Sequence, residues 1–359
     1  MIKDVGIYSN NNKDNLLLNG NESPKNINKD KYFKILEKLK KVDLNRYPDT
    51  DGDKLREAYS SYAGVSLDNI IIGNGSDEVI NLVISKNIQK GDKLLTVTPD
   101  FVMYDFYTAL NEGNVTKYNL DVDNYFNLEE FIGLGKRGNV KIVMFSNPNN
   151  PTGFAYSKEN IIKILEAFKD KIVLVDEAYY EFNGESVVSL IDEYPNLIVT
   201  RTLSKAWGLA ALRVGFLISN KDNIGELSKY KTPYNVNTIS QEIASIYLKE
   251  EVDSLNENLK LIINERERLY TELKKIEESA KSNKGFIKFY KSKANFIFGR
   301  AENKEELINA FREEKVTIRS FEDNSFRITV GLTEENNKVI EIVKYFAKQN
   351  NERIKKWKN

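Results

Sequence analysis

Lys205 lies in the stretch Arg201-Thr202-Leu203-Ser204-Lys205-Ala206-Trp207-Gly208-Leu209, and Arg213 follows at the edge of the apolar run Val214–Ser219. A lysine amine attacks an aldehyde once desolvation and neighbouring cations lower its pKa. Hydroxyls and a guanidinium are the partners that hold a phosphate beside it. Lys205 therefore reads as a Schiff-base lysine, with Thr202, Ser204 and Arg213 as phosphate ligands, and an aldehyde and a phosphate on one small molecule describe pyridoxal phosphate. The other reading of Arg213 is a surface arginine paired with a carboxylate, and that of Thr202 and Ser204 a strand end and a helix cap.

Two further segments supply what that cofactor needs. Lys171-Ile-Val-Leu-Val-Asp176-Glu-Ala-Tyr179 is a β-branched apolar run that ends on an aspartate. Asp176 can keep a pyridine nitrogen protonated, and a protonated ring is the electron sink that stabilises the carbanion left when a substrate Cα proton departs. Val140–Phe145 runs into Ser146-Asn147-Pro148-Asn149-Asn150-Pro151-Thr152-Gly153, a turn forced by its prolines and glycine. Asn150 can donate to the ring's phenolic oxygen, with Tyr179 beside it. Gly75, Ser76 and Asp77, in Gly73-Asn74-Gly75-Ser76-Asp77-Glu78, offer backbone amides at a helix start to an oxyanion. An ordinary serine-capped turn is the competing reading there.

Such residues need elements that bring them together. Between about Asn69 and Ser219, apolar runs at Ile70–Ile72, Lys93–Val97, Val140–Phe145, Lys171–Val175, Leu197–Thr200 and Val214–Ser219 alternate with polar helical patterns. Strands this apolar are covered on both faces, which predicts an α/β fold with a mostly parallel sheet. Ligands bind beyond the carboxyl ends of such strands, where Asn150, Asp176 and Lys205 fall. A long charged helical pattern follows from Ile239 to Ser282, then short strands at Asn295–Phe298 and Phe326–Val330 and a last helix, together a smaller α+β domain. The expected boundaries are 45–238 for the large cofactor-binding domain, and 1–44 with 239–359 for the small one. Asn10–Asn15 and Asn26–Lys31 read as Asn/Lys-rich loops.

Composition removes several function classes. Lys+Arg and Asp+Glu both number 53, so no net field points to nucleic acid or an anionic membrane. No apolar run approaches the roughly 18 residues of a membrane span, and the polar opening Met1-Ile-Lys-Asp lacks a signal peptide's apolar stretch, so the expected location is the cytoplasm. Cysteine and histidine are both absent. Disulfides, thiolate or imidazole metal sites and a Ser-His-Asp triad are thereby excluded, no metal is expected, and proton transfer falls to a lysine, tyrosine or carboxylate.

The set NPNNPTG, DEAYYEF, RTLSKAWGLAALRVGF and FRITVG resembles the fold-type I pyridoxal-phosphate aminotransferases, and within them the histidinol-phosphate aminotransferases most. The similarity runs from Leu16 nearly to the C-terminus. It implies that the first ~40 residues fold onto the smaller domain. It further implies that Tyr104 stacks on the cofactor ring, that Tyr47 reaches a partner subunit's cofactor phosphate in a homodimer with shared sites, and that Arg327 grips the substrate. Asn295 matches a further family position. Two departures stand out. Asp100-Phe101 replaces a common Thr-Tyr, and Ser23 replaces a bulky residue, often tyrosine, in the substrate wall. The implied reaction is transfer of the amino group from L-histidinol phosphate to 2-oxoglutarate, giving glutamate, with Arg319 as a second cation for the substrate phosphate. An aromatic amino-acid aminotransferase and an O-phosphothreonine decarboxylase of cobalamin synthesis are the alternatives within the fold. A cofactor-binding transcriptional regulator, which would carry a DNA-binding domain, is a third.

Overall fold

A computed structural model describes residues 14–120, 126–280 and 287–358, the side chains of the last stretch as far as 349. The first strand, β1 (Leu16–Leu18), belongs to the smaller of two sheets. β2 (Ile70–Asn74), β3 (Lys93–Thr98), β4 (Asn114–Asn119), β5 (Val140–Ser146), β6 (Ile172–Asp176), β7 (Leu197–Thr202) and β8 (Val214–Ser219) form a seven-stranded sheet in the order β2-β8-β7-β6-β5-β3-β4. Its pairings are parallel except those of β8, which runs against both β2 and β7.

Alternate side chains of these strands enter two separate apolar clusters. Val143, Phe145, Val173, Val175 and Val199 point to one, and Ile142, Met144, Leu174 and Ile198 to the other. This is the period of two expected of a sheet with helices on both faces. β4 alone has a polar sequence, NVTKYN, and five of its six residues are exposed or part-exposed. It is an edge strand buried on one flank only, which is why no apolar run announces it.

β9 (Ile287–Tyr290), β10 (Phe296–Ala301), β11 (Val316–Ser320) and β12 (Ser325–Thr329) complete the second sheet, in the order β1-β11-β12-β10-β9. β1 lies parallel to β11, Leu16 opposite Val316, so the N-terminal segment joins the C-terminal part of the chain. Two expectations need correction. The helical pattern from Ile239 is two helices, Thr238–Glu250 and Val252–Ser279, and the expected end at Ser282 lies outside the described residues. Glu251 breaks them at φ −123°, with its carboxylate turned to Lys31 and Ser254, a tertiary contact no local pattern encodes. Asn26–Lys31 is not all loop: a helix spans Lys29–Leu39, with the Asn28 side chain accepting from the Asp30 N–H. Of the other Asn/Lys-rich stretch, residues 10–13 lie outside the described residues. Among the described residues no helix is long and apolar enough to cross a membrane.

Candidate active site

The reversed β8 sets the rim of the site. Because it runs against its neighbours, its first residues meet the ends of β2 and β7: Asn74 lies opposite Val214, and Thr202 opposite Gly215. Arg213, just before β8, thereby joins the carboxyl ends of β5, β6 and β7. Its backbone is left-handed, at φ 53°, an uncommon conformation for a side-chain-bearing residue.

A phosphate-sized cradle forms there. The helix Ser76–Asn87 starts on Gly75, at φ 80°, with no side chain capping it, so Ser76 is not the ordinary serine cap. A Cβ on Gly75 would stand 2.4 Å from an Arg213 Nη, and one on Gly215 would stand 2.2 Å from the Ser76 nitrogen. Only glycine lets the guanidinium and β8 approach the helix start this closely. Arg213 Nη1 donates to Ser204 Oγ at 3.2 Å, and Thr202 Oγ1 donates to the same oxygen at 3.0 Å. Arg213 Nη2 pairs with Asp77 at 3.2 Å, its side chain 45% exposed, so the carboxylate pairing and the place at the cradle occur together. Hydroxyls, guanidinium and helix-start amides converge on one spot, the donor set of an anion site.

Asp176 lies in the floor beside it. Its carboxylate accepts from Tyr104 Oη at 2.8 Å, from Thr200 Oγ1 at 3.1 Å and from the Ala178 N–H at 3.2 Å. Burial pushes its pKa up to about 6, against the pull of the Tyr104 and Thr200 hydrogen bonds. Tyr104 is fully buried, with its phenol held well above the ordinary range by that burial. Thr200 was not singled out from sequence. Its signal is register, since it lies opposite Asp176 across the parallel β6–β7 pair.

Three consecutive residues after β1 reach three site groups. Arg327 Nη2 donates to the Asn19 carbonyl at 2.7 Å, Lys205 Nζ to the Gly20 carbonyl at 2.9 Å, and Asn21 Nδ2 to Tyr179 Oη at 3.0 Å. Asn21, buried at φ 54°, is held in turn by Thr329 and by Asn295 Nδ2, which reaches its carbonyl at 3.0 Å. Asn295 thus positions this segment, and its own Oδ1 is buried without a hydrogen-bond partner. Arg327 also donates through Nη1 to Asn150 Oδ1. That bond occupies the carboxamide oxygen and leaves Nδ2 as the group Asn150 can offer. Arg327 is only 4% exposed, which excludes a solvent-facing strand arginine.

Arg319 lies directly opposite Arg327 in the antiparallel β11–β12 pair, so the two side chains share a face of the sheet. Ser23 Oγ accepts from Asn258 Nδ2 at 3.2 Å, and Ser23 sits over Gly208 in the lysine loop, 3.1 Å from where a Cβ would be. Tyr47 stands apart from the cluster: it is 81% exposed and stacks on Tyr234, ring centroids 4.7 Å apart.

The family model for aminotransferase class I and II matches residues 12–341. Over 331 residues, 91% of this chain and 90% of the relative, the sequence is 42% identical to a histidinol-phosphate aminotransferase of Clostridium novyi. A relative of the same name from Caldanaerobacter subterraneus is 40% identical over 90% of both chains. The crystal structure of the histidinol-phosphate aminotransferase from Clostridium acetobutylicum, 28% identical, superposes with a TM-score of 0.82 over 93% of this chain and 99% of its own. With its sheet order, its cradle and these relatives in agreement, the chain belongs to the class I and II aminotransferases.

Proposed function

We propose that this chain is a pyridoxal-phosphate-dependent aminotransferase that converts L-histidinol phosphate and 2-oxoglutarate to imidazole-acetol phosphate and L-glutamate, acting in the cytoplasm as a homodimer. The observation that carries the substrate is the Arg319–Arg327 register. Two guanidinium forks on one face of a sheet can grip a dianionic phosphate from two sides, which a single carboxylate needs less.

The residues fit the cofactor. The cradle that a Cβ at position 75 or 215 would fill suits its phosphate, held by the Gly75, Ser76 and Asp77 segment, Thr202, Ser204 and Arg213. Asp176 would hold the pyridine nitrogen protonated, Tyr104 would cover the ring, and Asn150 and Tyr179 would donate to the phenolic oxygen. When bound, pyridoxal phosphate supplies the electron sink for the charge left on the substrate Cα. Lys205 would hold the aldehyde, and its freed Nζ would be the base that takes the substrate Cα proton and gives it back, a transfer that fixed geometry favours by roughly 7–11 kcal/mol. Arg327 serves both half-reactions, gripping the phosphate of one substrate and the carboxylate of glutamate in the other. Asn295 and Ser23 shape the wall on which the imidazole rests. The exposure of Tyr47 and of Leu44, at 81% and 80%, supports a partner subunit covering this face, with Tyr47 reaching the partner's cofactor phosphate.

The pairing of β1 with β11, while β2 to β8 pair among themselves, supports grouping the N-terminal segment with the C-terminal part in a division of 45–238 against 1–44 with 239–359. The test is an assay of purified protein with histidinol phosphate, phenylalanine, tyrosine and phosphothreonine, each with 2-oxoglutarate. Glutamate formed fastest from histidinol phosphate is the expected result. Preference for phenylalanine or tyrosine, or carbon dioxide released from phosphothreonine, would replace the substrate reading.

A further inference from the structure

We propose that Asp100 is a positioning residue for this reaction, holding through Ser146 the turn that presents Asn150. The proposal rests on the reading of Asn150 as a donor to the cofactor's phenolic oxygen. Asp100 follows β3, with its carboxylate turned inward toward the end of β5. Oδ1 accepts from the Phe101 N–H at 2.7 Å and from the Ser146 hydroxyl, and Oδ2 accepts from the Ser146 N–H at 3.1 Å. With its proton committed to Asp100, the Ser146 oxygen remains an acceptor. It takes the Asn150 N–H at 3.0 Å. The turn is tied to the same loop a second time, by Asn149 Nδ2 donating to the Pro99 carbonyl at 3.2 Å. At the far end of the relay Arg327 occupies the Asn150 carboxamide oxygen. Carboxylate, hydroxyl, backbone amide and carboxamide thus form one directed chain, and its first member is the residue by which this sequence departs from the common Thr-Tyr pattern.

Asp100 also lies within electrostatic reach of Asp176, so a role through charge alone must be separated from the relay. The two predict opposite signs. A donor on the phenolic oxygen disperses the negative charge that otherwise keeps a proton on the lysine nitrogen, so misplacing Asn150 raises the pH midpoint of the lysine-bound cofactor's absorbance. Removing a nearby negative charge lowers that midpoint.

The experiment measures this midpoint, together with the affinity of the apoprotein for pyridoxal phosphate by fluorescence titration, in Asp100→Asn, Ser146→Ala, their double variant and Asn150→Ala. The expected result is a rise of about one pH unit in each single variant, with no further rise in the double. Cofactor affinity should weaken about tenfold, and kcat should fall about tenfold with KM little changed. A raised midpoint in Asn150→Ala beside an unchanged one in Ser146→Ala overturns the relay alone. A lowered midpoint in Asp100→Asn with Ser146→Ala unchanged assigns Asp100 a charge role and overturns it too. An unchanged Asn150→Ala removes the Asn150 reading and the relay with it. Should Asp100→Asn fail to fold, Ser146→Ala and Asp100→Thr decide the matter, because a merely structural lesion lowers the melting temperature without moving the midpoint.

Discussion

The Tyr104 hydroxyl donates to Asp176 Oδ2 at 2.8 Å, so the aromatic proposed to cover the cofactor and the carboxylate proposed to face its nitrogen are joined directly. Neither can turn without the other. Asp176→Asn keeps the size of the side chain but cannot hold a pyridine nitrogen protonated. Steady-state turnover should fall on the order of 100-fold or more, while Asp176→Glu keeps part of it. Near-normal rates in the Asn variant would place another residue opposite the nitrogen.

Lys205 is proposed to combine the roles of aldehyde holder and base. Borohydride treatment of the wild-type protein should fix the cofactor to this lysine, located by peptide mass spectrometry. Lys205→Ala should still bind cofactor yet lose turnover by on the order of 10⁴-fold, since nucleophile and base vanish together. An adduct on a different lysine would end this assignment.

Substrate class can be read from Arg319. Arg319→Ala should cost about 1.5–3 kcal/mol of transition-state binding with histidinol phosphate, the range of a charged hydrogen bond. The glutamate half-reaction should change less, because Arg327 alone can fork a carboxylate. Single-turnover rates for the two halves make the comparison, and equal losses would favour an aromatic substrate instead.

Tyr47 tests the proposed sharing of sites between subunits. Lys205→Ala and Tyr47→Phe protomers, mixed and exchanged, give heterodimers with one site carrying both lesions and one carrying neither. Activity should rise above that of either parent. If it stays at the parental level, Tyr47 serves its own chain or no cofactor at all.

The pH dependence of the apoprotein follows from three carboxyls. Burial pushes Asp176 to about 6, Asp100 to about 7 and Glu181 to about 8. Raised values mean that the folded chain binds more protons than the unfolded one, so stability is fullest at the acid end and is lost as pH rises through these values. The apoprotein melting temperature should therefore fall between about pH 5 and pH 8, each titrating group adding up to ~1.4 kcal/mol per pH unit. Glu181 Oε2 is buried without a hydrogen-bond partner, so Glu181→Gln should flatten the alkaline part of the slope. A melting temperature that climbs over this range would contradict the direction of these shifts.

The parallel core and its rim were legible because buried strands carry continuous apolar runs and the candidate site residues fall at their ends. Asp176, Asn150 and Lys205 were readable on those grounds. β1, β4, β9 and β11 were not: they are short, or lie at or near sheet edges, and the sequences of β4, β9 and β11 have no continuous apolar run to notice. Thr200, Ser146 and Asn21 escaped for another reason. Each acts through a partner set by register or by tertiary contact, such as Asn21 on Tyr179 across 158 positions, and single-residue chemistry does not reveal who stands opposite.

The reversed strand β8 also bears on the order in which the chain can assemble. Its pairing with β7 closes a short loop, Thr202 opposite Gly215, and brings the lysine and the phosphate arginine together with little loss of chain entropy. The latch formed by Asn19, Gly20 and Asn21 depends instead on β1 finding β11, Leu16 opposite Val316, near the opposite end of the chain. Contacts that distant in sequence form late. A folding chain of this design would acquire the hydroxyl and guanidinium part of its phosphate cradle before it acquires a closed substrate chamber, and cofactor present during refolding would engage a species in which β1 and β11 have not yet met.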